Sequence, residues 1–420
     1  MSQLSRRGLL TAAAAAGGIF ALPSLAHAVQ AATSPYRRPK LKITDVRTAE
    51  ILGHGYQLHV RIYTDQGLWG HGEGTDAVRG GVGLVNQWRR FLVGQDPLNV
   101  DYLFERIRTQ GIFAGAQAGQ YVATLTAIET ALWDLAGKAV GLPIYQLLGG
   151  RMRDRIRVYC DSQTEDPKDP NAPAKIAQIR DLGFTAIKID IDEATDPMRW
   201  DPVNWTASNA EIDNMIGKIR FVRESFDKRV DIAADMHGRY DMTTGKRVAK
   251  EAEPFKLLFL EEPVPPENVD AMRDVRESTS TPICCGENLF LRHGFREVLE
   301  KRAADIIMPD LQKCGGLLEG RKIADMAHTY YVPFAPHCVV SPIGTMAACH
   351  VCAAVPNFLV LEWHWIQRLE LWKSFGKQGE IIQKGFVTLT DAPGIGVEMD
   401  DVAVKKAQVP NTPWFVPTSS

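Results

Sequence analysis

Three acidic residues recur at a regular spacing in the central part of the chain. Asp235, Glu261 and Glu287 lie 26 residues apart, and each ends a short apolar run: VDIAAD, LLFLE and TPICCGE. Such runs are typical of buried strands, and the spacing is about one strand–helix–strand unit. In a closed parallel barrel this spacing would bring the three carboxylates together at the C-terminal mouth, where such barrels carry out their chemistry.

Carboxylates that converge on one site repel one another unless a cation neutralises them. Mg²⁺ is a hard cation that prefers carboxylate oxygens as ligands. The sequence therefore predicts an Mg²⁺ site with Asp235, Glu261 and Glu287 as its ligands.

The alternation of strands and helices begins at Arg155 and extends well beyond these three residues. It includes eight apolar runs: RIRVYC, TAIKID, VDIAAD, LLFLE, PICCGE, DIIMPD, VPFAPH and FLVLEW. Eight strands is the number that closes a parallel barrel, so residues 155–384 are predicted to form an α/β fold, a modified (β/α) barrel of the TIM type. A Pro-, Trp- and Asn-rich insertion near residues 190–210 is expected to shape a substrate pocket.

The residues before the barrel follow a different pattern. Residues 41 to about 75 alternate in the manner of strands, and residues 84–140 have a helical period that ends at Gly141. We therefore expect an α+β capping domain over residues 41–154. The last segment, residues 385–420, begins like a strand and a turn and is expected to return to this capping domain.

The first 28 residues have the pattern of an export signal. A twin arginine, Arg6-Arg7, precedes an apolar stretch rich in small residues, which ends in the cleavage-site pattern Ala26-His27-Ala28. This pattern resembles a twin-arginine signal, so we expect a cleaved, periplasmic mature protein with no stable membrane span. An N-terminal membrane anchor is the alternative, which the glycines and the proline in this short apolar run disfavour.

The composition restricts the class of ligand. The 420 residues carry a net charge of −2 and no basic tract, so neither nucleic acid nor an anionic membrane surface is an expected partner, and the ligand is expected to be small. The seven cysteines are an odd number, and most lie in apolar segments, which favours buried free thiols. Cys349-His350-Val351-Cys352 is predicted to lie in a packed helix rather than in a metal or redox site.

The later strands also end in ionisable residues, namely Asp310, His337 and Glu362. A single carboxylate at a strand end is usually a helix cap or half of an ion pair. A series of six ionisable residues at successive strand ends is difficult to explain in that way. His337 is the natural base because imidazole titrates near neutral pH, and Asp310 would fix its tautomer.

His237 lies two residues after Asp235, so both side chains would share one face of an extended strand. Its position makes His237 a candidate general acid. The alternative is a histidine that only forms a hydrogen bond at the start of a loop.

Five short motifs together resemble the mandelate racemase-like branch of the enolase superfamily, especially its galactonate-type sugar-acid dehydratases. The motifs are Asp235-Met-His237-Gly-Arg239, Leu260-Glu261-Glu262-Pro263, Cys285-Gly286-Glu287, Met308-Pro309-Asp310 and Ala335-Pro336-His337. The similarity covers residues 42 to about 400. Members of that family have an α+β capping domain over a modified (β/α) barrel. They bind Mg²⁺ through three carboxylates and abstract the proton α to a substrate carboxylate, which gives an enediolate held by the metal.

The resemblance implies a role for each matching residue. It makes Asp235, Glu261 and Glu287 the metal ligands and the Asp310–His337 pair the base. It implies that Glu362 hydrogen-bonds the intermediate and that His237 protonates the departing 3-hydroxyl. The choice of Glu261 over Glu262 also rests on the resemblance, although strand alternation already indicates that only one of the two can face inward.

One departure from the family pattern bears on the reaction. Relatives that racemise or epimerise often carry Lys-x-Lys on the second barrel strand, whereas this chain has Lys188-Ile189-Asp190. Without a second base, β-elimination is favoured, and the expected activity is an Mg²⁺-dependent aldonate dehydratase that forms a 2-keto-3-deoxy acid. Lys188 could face the substrate carboxylate or could pair with Asp190 or Asp192.

Other functions are compatible with the same scaffold. Epimerisation of a sugar acid and cycloisomerisation of a sugar lactone would use the same kind of site, and a sugar-acid binding protein without turnover is a further alternative. Substrate choice is expected to depend on the loop Gly53-His54-Gly55-Tyr56 and on the 190–210 insertion. The family often forms symmetric dimers or octamers, so the resemblance implies a homo-oligomer.

Overall fold

The structure, a computed structural model, describes residues 38–193, 198–201 and 203–417. The predicted export signal, residues 1–28, lies outside the described residues. Among the residues that are described, no helix combines the length and the apolar character that a membrane span requires.

The N-terminal module is an antiparallel sheet covered by helices. The sheet contains β1 (Ile43–Gly53), β2 (Gly55–Thr64) and β3 (Trp69–Thr75) in that order. The helices are α1 (Gly81–Leu92), α2 (Val100–Gln110), α3 (Gly119–Val140) and the short α4 (Ile144–Leu147). Helix α3 packs directly on β3, because a Cβ atom at Gly70 or Gly72 would overlap its backbone.

The second module is built on a parallel sheet. Its parallel strands are β4 (Arg155–Asp161), β5 (Ala186–Asp190), β6 (Asp231–Asp235), β7 (Phe259–Glu261), β8 (Ile283–Cys285), β9 (Ile306–Ile307) and β10 (Leu361–Trp363). Each strand from β4 to β9 pairs with the next in sequence, and β10 pairs with β4. The predicted architecture, an α+β capping domain followed by an α/β domain with a parallel sheet, is confirmed.

The sheet is not closed by a continuous ladder of hydrogen bonds. The predicted strand VPFAPH contributes only isolated parallel bridges, from Phe334 to Ile307 and from Phe334 to Phe358. Pro333 and Pro336 flank Phe334, and proline has no backbone N–H to donate to a ladder. The composition of this segment therefore explains why a regular strand does not form there.

Helices alternate with the parallel strands along the chain. They are α5 (Ala172–Asp181), α6 (Asn209–Ser225), α7 (Met242–Glu251), α8 (Val269–Glu277), α9 (Leu291–Glu300), α10 (Leu317–Thr329), α11 (Pro342–Ala354), α12 (Leu369–Phe375) and α13 (Asp401–Val404). Single 3₁₀ turns occur at Ile112–Ala114, Glu253–Phe255, Ile366–Arg368 and Lys405–Ala407. Helix α6 begins at a complete capping box, formed by Ser208 and Glu211.

The C-terminal segment contacts both modules. Strands β11 (Ile382–Gln383) and β12 (Phe386–Thr388) form a hairpin, and β12 pairs antiparallel with the first half of β4. Further on, the backbone N–H of Val409 donates to Glu50 O on β1 at 2.9 Å, and that of Phe415 donates to Thr48 O at 2.9 Å. The chain thus extends the barrel sheet before it reaches the capping sheet.

All seven cysteines are free and buried, as the sequence predicts. Cys349 and Cys352 lie within α11, and His350 between them is also buried. His350 Nδ1 accepts from the backbone N–H of Tyr145 at 3.2 Å, and Nε2 lies 2.9 Å from Ile395 O. This segment is therefore a packed helix, in agreement with the prediction.

Candidate active site

The side chains that the sequence analysis singled out meet at the carboxyl end of the parallel sheet. Asp235 and Glu261 are the last residues of β6 and β7 and are partners in the ladder between these strands. Glu287, Asp310 and His337 follow the next strand positions in turn, and Glu362 lies within β10. All six are buried except Glu287, which is partly exposed.

Lys188 lies among three of these carboxylates. Its Nζ is 2.8 Å from Asp235 Oδ2, 3.0 Å from Glu261 Oε2 and 2.9 Å from Glu362 Oε1. Burial disfavours the charged ammonium, but the three carboxylates outweigh it and raise the pKa of Lys188 well above its usual value. The sequence suggested Asp190 and Asp192 as possible partners of Lys188. The structure instead pairs Lys188 with Asp235, Glu261 and Glu362.

His337 and Asp310 form a close pair. His337 Nδ1 lies 2.7 Å from Asp310 Oδ2, and the backbone N–H of Gln312 donates to the other Asp310 oxygen at 2.7 Å. His337 Nε2 points to the remaining acids, 3.0 Å from Glu287 Oε2 and 3.6 Å from Glu362 Oε2. Burial lowers the pKa of His337, but Glu362, Glu287 and Asp310 together raise it to about 10.

His237 lies two residues after the end of β6 in a left-handed backbone conformation, with φ of 50°. Its backbone N–H donates to Asp235 Oδ1 at 2.8 Å, and its Nδ1 lies 2.7 Å from Asp192 Oδ1. Nε2 is 3.8 Å from Asp235 Oδ2. Burial opposes protonation of the ring, but Asp235, Asp192 and Asp190 raise the pKa of His237 to about 10.

Asp192 is a site residue that sequence reasoning considered only as a partner for Lys188. It is buried, and its second oxygen accepts from Arg239 Nη1 at 2.6 Å while the first contacts His237. Asp192 therefore orients the ring of His237. The signal in the sequence is the alternation Asp190-Ile191-Asp192, which places both acids on one face of an extended segment.

The carboxylates of Asp235, Glu261 and Glu287 fit a hard divalent cation in chemistry and charge. Glu261 Oε1 is buried and has no hydrogen-bond partner among the described residues. Burial, followed by the charges of Asp235 and Glu287, raises the pKa of Glu261 well above its usual value, and Lys188 opposes this shift. A donor set made only of carboxylate oxygens is the type that Mg²⁺ prefers.

In the described part of the chain, the trio of Asp235, Glu261 and Glu287 is not the group of possible metal ligands whose atoms lie closest together. The two groups whose ligand atoms lie within 4.8 Å of one another are Asp190, Asp235 and His237 on one side and Asp76, Asp310 and His337 on the other. In the trio, Asp235 and Glu261 share Lys188, and Glu287 contacts His337. A cation held by the trio would compete with Lys188 and His337 for these oxygens.

An ion pair between the two modules lies next to the proposed base. Lys313, three residues after Asp310, is buried, and its Nζ lies 3.0 Å from Oδ2 of Asp76, which follows β3 in the capping domain. Burial disfavours the ammonium, but Asp76, Asp310 and Glu287 raise the pKa of Lys313 above its usual value. Sequence reasoning missed this pair, because no local motif relates residues that are so far apart in the chain.

A cavity adjoins the site on the side of β4 and β5. It has a volume of about 730 Å³, and acidic side chains predominate in its lining, which includes Glu165, Asp190, Asp192 and Glu193. Met198, from the insertion predicted to shape a pocket, also lines it. Residues 194–197 and 202 of that insertion lie outside the described residues.

Comparisons with known proteins cover both modules. Residues 34–149 match the family model of the mandelate racemase/muconate lactonizing enzyme N-terminal domain. Residues 172–403 match the enolase C-terminal domain-like model.

Curated relatives match over most of their length. A D-xylonate dehydratase of Haloferax volcanii is 41% identical over 378 residues, which is 89% of this chain and 90% of that protein. A D-galactonate dehydratase of Variovorax paradoxus is 31% identical over 384 residues, 90% of this chain and 97% of that protein.

Solved structures also match. A mandelate racemase/muconate lactonizing enzyme-like protein from Rubrobacter xylanophilus has 44% identity and a TM-score of 0.85, over 90% of this chain and 100% of the other. A member of the enolase superfamily from Salmonella Typhimurium has 30% identity and a TM-score of 0.80, over 88% of this chain and 98% of the other.

Proposed function

The chain belongs to the mandelate racemase/muconate lactonizing enzyme family of the enolase superfamily, and on that premise we propose that it is a hydro-lyase that dehydrates a sugar acid. The observation that carries the proposal is a pair of histidines with separate carboxylate partners at one sheet end. His337 contacts Asp310 at 2.7 Å, and His237 contacts Asp192 at 2.7 Å. Elimination of water needs one base and one acid, and these two residues can supply them.

His337 is proposed as the base. A hydrogen bond from Nδ1–H to Asp310 leaves Nε2, which faces Glu287 and Glu362, as the atom that accepts a proton in the neutral ring. Use of the Glu287 carboxylate as a metal ligand would weaken its stabilisation of the protonated ring and so favour the neutral form. The proton it takes is the one α to the substrate carboxylate. The electron pair of that C–H bond then forms the double bond between the α and β carbons.

His237 is proposed as the acid. The carboxylate of Asp192 holds Nδ1, so Nε2 can carry the proton that leaves with the 3-hydroxyl as water. Loss of that hydroxyl breaks the C3–O bond and gives an enol, which tautomerises to a 2-keto-3-deoxy acid. Asp192 stabilises the protonated ring before transfer.

We propose Asp235, Glu261 and Glu287 as the residues that hold Mg²⁺. The unpartnered Glu261 Oε1 and the all-oxygen donor set support this assignment. A bound Mg²⁺ would supply positive charge that stabilises the negative charge developing on the substrate carboxylate. Lys188, among Asp235, Glu261 and Glu362, holds further positive charge in the same place.

The experiment is a substrate screen. Protein lacking residues 1–28 is incubated with Mg²⁺ and a panel of aldonic, uronic and aldaric acids that includes D-xylonate and D-galactonate, and release of 2-keto acid is measured. We expect turnover of at least one aldonate, and release of 2-keto acid about 10²–10⁴-fold slower in a His337→Asn variant. If no acid in the panel yields a keto acid, or if recovered substrate is epimerised at the α carbon, the dehydratase proposal is wrong.

We further propose that the protein is exported to the periplasm. The support is the sequence pattern of Arg6-Arg7 followed by an apolar stretch and Ala26-His27-Ala28. A double Arg6→Lys, Arg7→Lys variant should remain in the cytoplasm of a Gram-negative host, whereas the unaltered chain should appear, shortened, in the periplasmic fraction. Unaltered chain found only in the cytoplasm contradicts the proposal.

A further inference from the structure

Lys313 connects the loop that follows Asp310 to the capping domain. Its backbone N–H donates to Asp310 O at 3.1 Å, and its carbonyl oxygen lies 3.2 Å from the hydroxyl of Thr126 on α3. Its side-chain Nζ lies 3.0 Å from Oδ2 of Asp76, the residue after β3. The backbone and side chain of this one residue therefore contact Asp310 on one side and two elements of the capping domain on the other.

The capping domain also holds other residues of the same loop. The backbone N–H of Gly315 donates to Thr126 Oγ1 at 2.9 Å, and the backbone N–H of Thr75 donates to Gln312 O at 3.3 Å. The N–H of Gln312 in turn donates to one oxygen of Asp310 at 2.7 Å, and the other oxygen contacts the proposed base. A shift of this loop would therefore move the carboxylate that orients the base.

The ion pair between Lys313 and Asp76 is asymmetric in its exposure to water. The side chain of Lys313 is 6% exposed, whereas that of Asp76 is 42% exposed. A buried ammonium that leaves its carboxylate partner becomes an unpaired buried charge, which is strongly destabilising. The buried end of the pair lies on the loop, so this penalty keeps the loop attached to the capping domain.

Asp76 lies close to the proposed base. One oxygen of Asp76, one oxygen of Asp310 and one ring nitrogen of His337 all lie within 4.8 Å of one another. Asp76 also has a φ of 55°, in the left-handed region that costs free energy in residues other than glycine. Such strain persists where the surrounding structure fixes a residue, and it is concentrated at functional sites.

We propose that Lys313 is a positioning residue for the Asp310–His337 base, and that it acts by fixing the loop after Asp310 to Asp76 of the capping domain. This inference rests on the proposed function, because it concerns the step that removes the α-proton. In this role Lys313 acts through Asp310 and exchanges no proton with the substrate. Without the contact, Nε2 of His337 is misaligned with the α C–H bond, and a misplacement of about 1 Å can lower a rate about 100-fold.

The test measures two rates, exchange of the substrate α-proton in D2O and release of 2-keto acid. Lys313→Met removes the charge but keeps an unbranched side chain. We expect both rates to fall together, about 10- to 100-fold, while KM changes by less than about threefold, because the lost contact aligns the base and does not bind the substrate. Lys313→Arg keeps the charge and should exchange the α-proton faster than Lys313→Met.

A second ion pair between the barrel and the capping domain provides a matched control. Lys322 on α10 lies 3.0 Å from Asp101 on α2, and both side chains are more exposed than that of Lys313. Lys322→Met therefore makes the same substitution in a pair that also joins the two modules. We expect both rates in this variant to stay within about twofold of the wild type, since exposed pairs contribute little.

A double variant separates positioning from stability. Asp76→Asn leaves the buried ammonium unpaired and should lower the melting temperature more than Lys313→Met, whose remaining carboxylate is partly exposed. The double variant Asp76→Asn, Lys313→Met removes both charges and should regain stability, while both rates stay as low as in Lys313→Met.

Two results would overturn the positioning role and leave the dehydratase proposal intact. One is Lys313→Met with both rates within about threefold of the wild type. The other is a double variant that regains both rates together with its stability. Wild-type protein that neither exchanges the α-proton nor releases keto acid would overturn the proposed function, and the positioning role with it.

Discussion

Glu129, on the longest helix of the capping domain, accepts a hydrogen bond from the backbone N–H of Leu317, the first residue of barrel helix α10, at 2.8 Å. Its other oxygen accepts from Leu318 at 3.0 Å. Glu73 on β3 does the same for α11, with the backbone N–H groups of Ser341 and Gly344 at 2.9 and 3.1 Å. Helix N-termini present unpaired N–H groups and attract negative charge. The capping domain thus supplies carboxylate acceptors for backbone N–H groups at the N-terminal ends of two barrel helices.

The first prediction concerns the pH dependence of stability at Glu129. Burial, partly offset by its hydrogen bonds to Leu318 and Leu317, raises the pKa of Glu129 to about 7. A carboxyl whose folded pKa exceeds its unfolded value stabilises fully below the unfolded pKa, near 4.5, and this contribution is lost as pH rises through 7. The free energy of unfolding of Glu129→Gln, measured relative to that of the wild type, should therefore increase by up to about 3 kcal/mol as the pH rises from 5 to 8.

Thermal or urea unfolding at these two pH values checks this difference. Glu224→Gln, at an exposed position of α6, serves as the matched control and should show no pH-dependent difference from the wild type. A constant offset between Glu129→Gln and the wild type at both pH values would contradict the prediction.

His350 gives the second prediction, with the opposite sign. Burial lowers its pKa to about 4, and the hydrogen bond between Nε2 and Ile395 O only partly offsets this shift. A histidine with a lowered folded pKa destabilises the fold as pH falls below its unfolded value of about 6.5, and the loss is complete near 4. As the pH falls from 7 to 4, the free energy of unfolding should therefore decrease less in His350→Gln than in the wild type. An equal slope in both proteins would exclude His350 as a contributor.

The fold could be predicted from the sequence where local spacing determines it. Strands that end in Asp235, Glu261 and Glu287 follow one another at a constant interval, and such an interval is typical of a parallel sheet with crossover helices. The irregular segment around Phe334 and the pairing of β12 with β4 could not be predicted in this way. Both depend on which backbone groups face each other across the sheet, and this is a tertiary property.

The same limit applies to the site. Residues at strand ends were located because strands of one sheet end at a common edge, as Asp235 and Glu261 do. The partners of Lys188 depend on how neighbouring strands are aligned: its register partner on β6 is Ala233, so Asp235 lies two residues further along the same face. Asp76 and Lys313 are far apart in the chain and share no motif, so only the three-dimensional structure brings them together.

A third prediction concerns competition between Lys188 and the cation. The ammonium lies within 3.0 Å of oxygens of Asp235 and Glu261, two of the proposed Mg²⁺ ligands. Removal of this charge should strengthen Mg²⁺ binding at least about tenfold, because unit charges at this separation interact by more than 1 kcal/mol even at high effective dielectric. Calorimetry with Lys188→Met, and with Lys228→Met as an exposed control, measures the change. Weaker Mg²⁺ binding in Lys188→Met would show that the ammonium organises the ligands rather than competing for them.

The last prediction separates the proposed base from the proposed acid. His337→Asn should lower kcat by about 10²–10⁴-fold and abolish exchange of the substrate α-proton in D2O, because His337 is the residue proposed to remove that proton. His237→Asn should also slow release of the keto acid, but the α-proton should still exchange, since His337 and Asp310 remain paired at 2.7 Å. Proton NMR of recovered substrate, with release of 2-keto acid measured in parallel, distinguishes the two. Exchange retained in His337→Asn and lost in His237→Asn would reverse the two roles, because the residue that removes the α-proton must be the one whose loss stops the exchange.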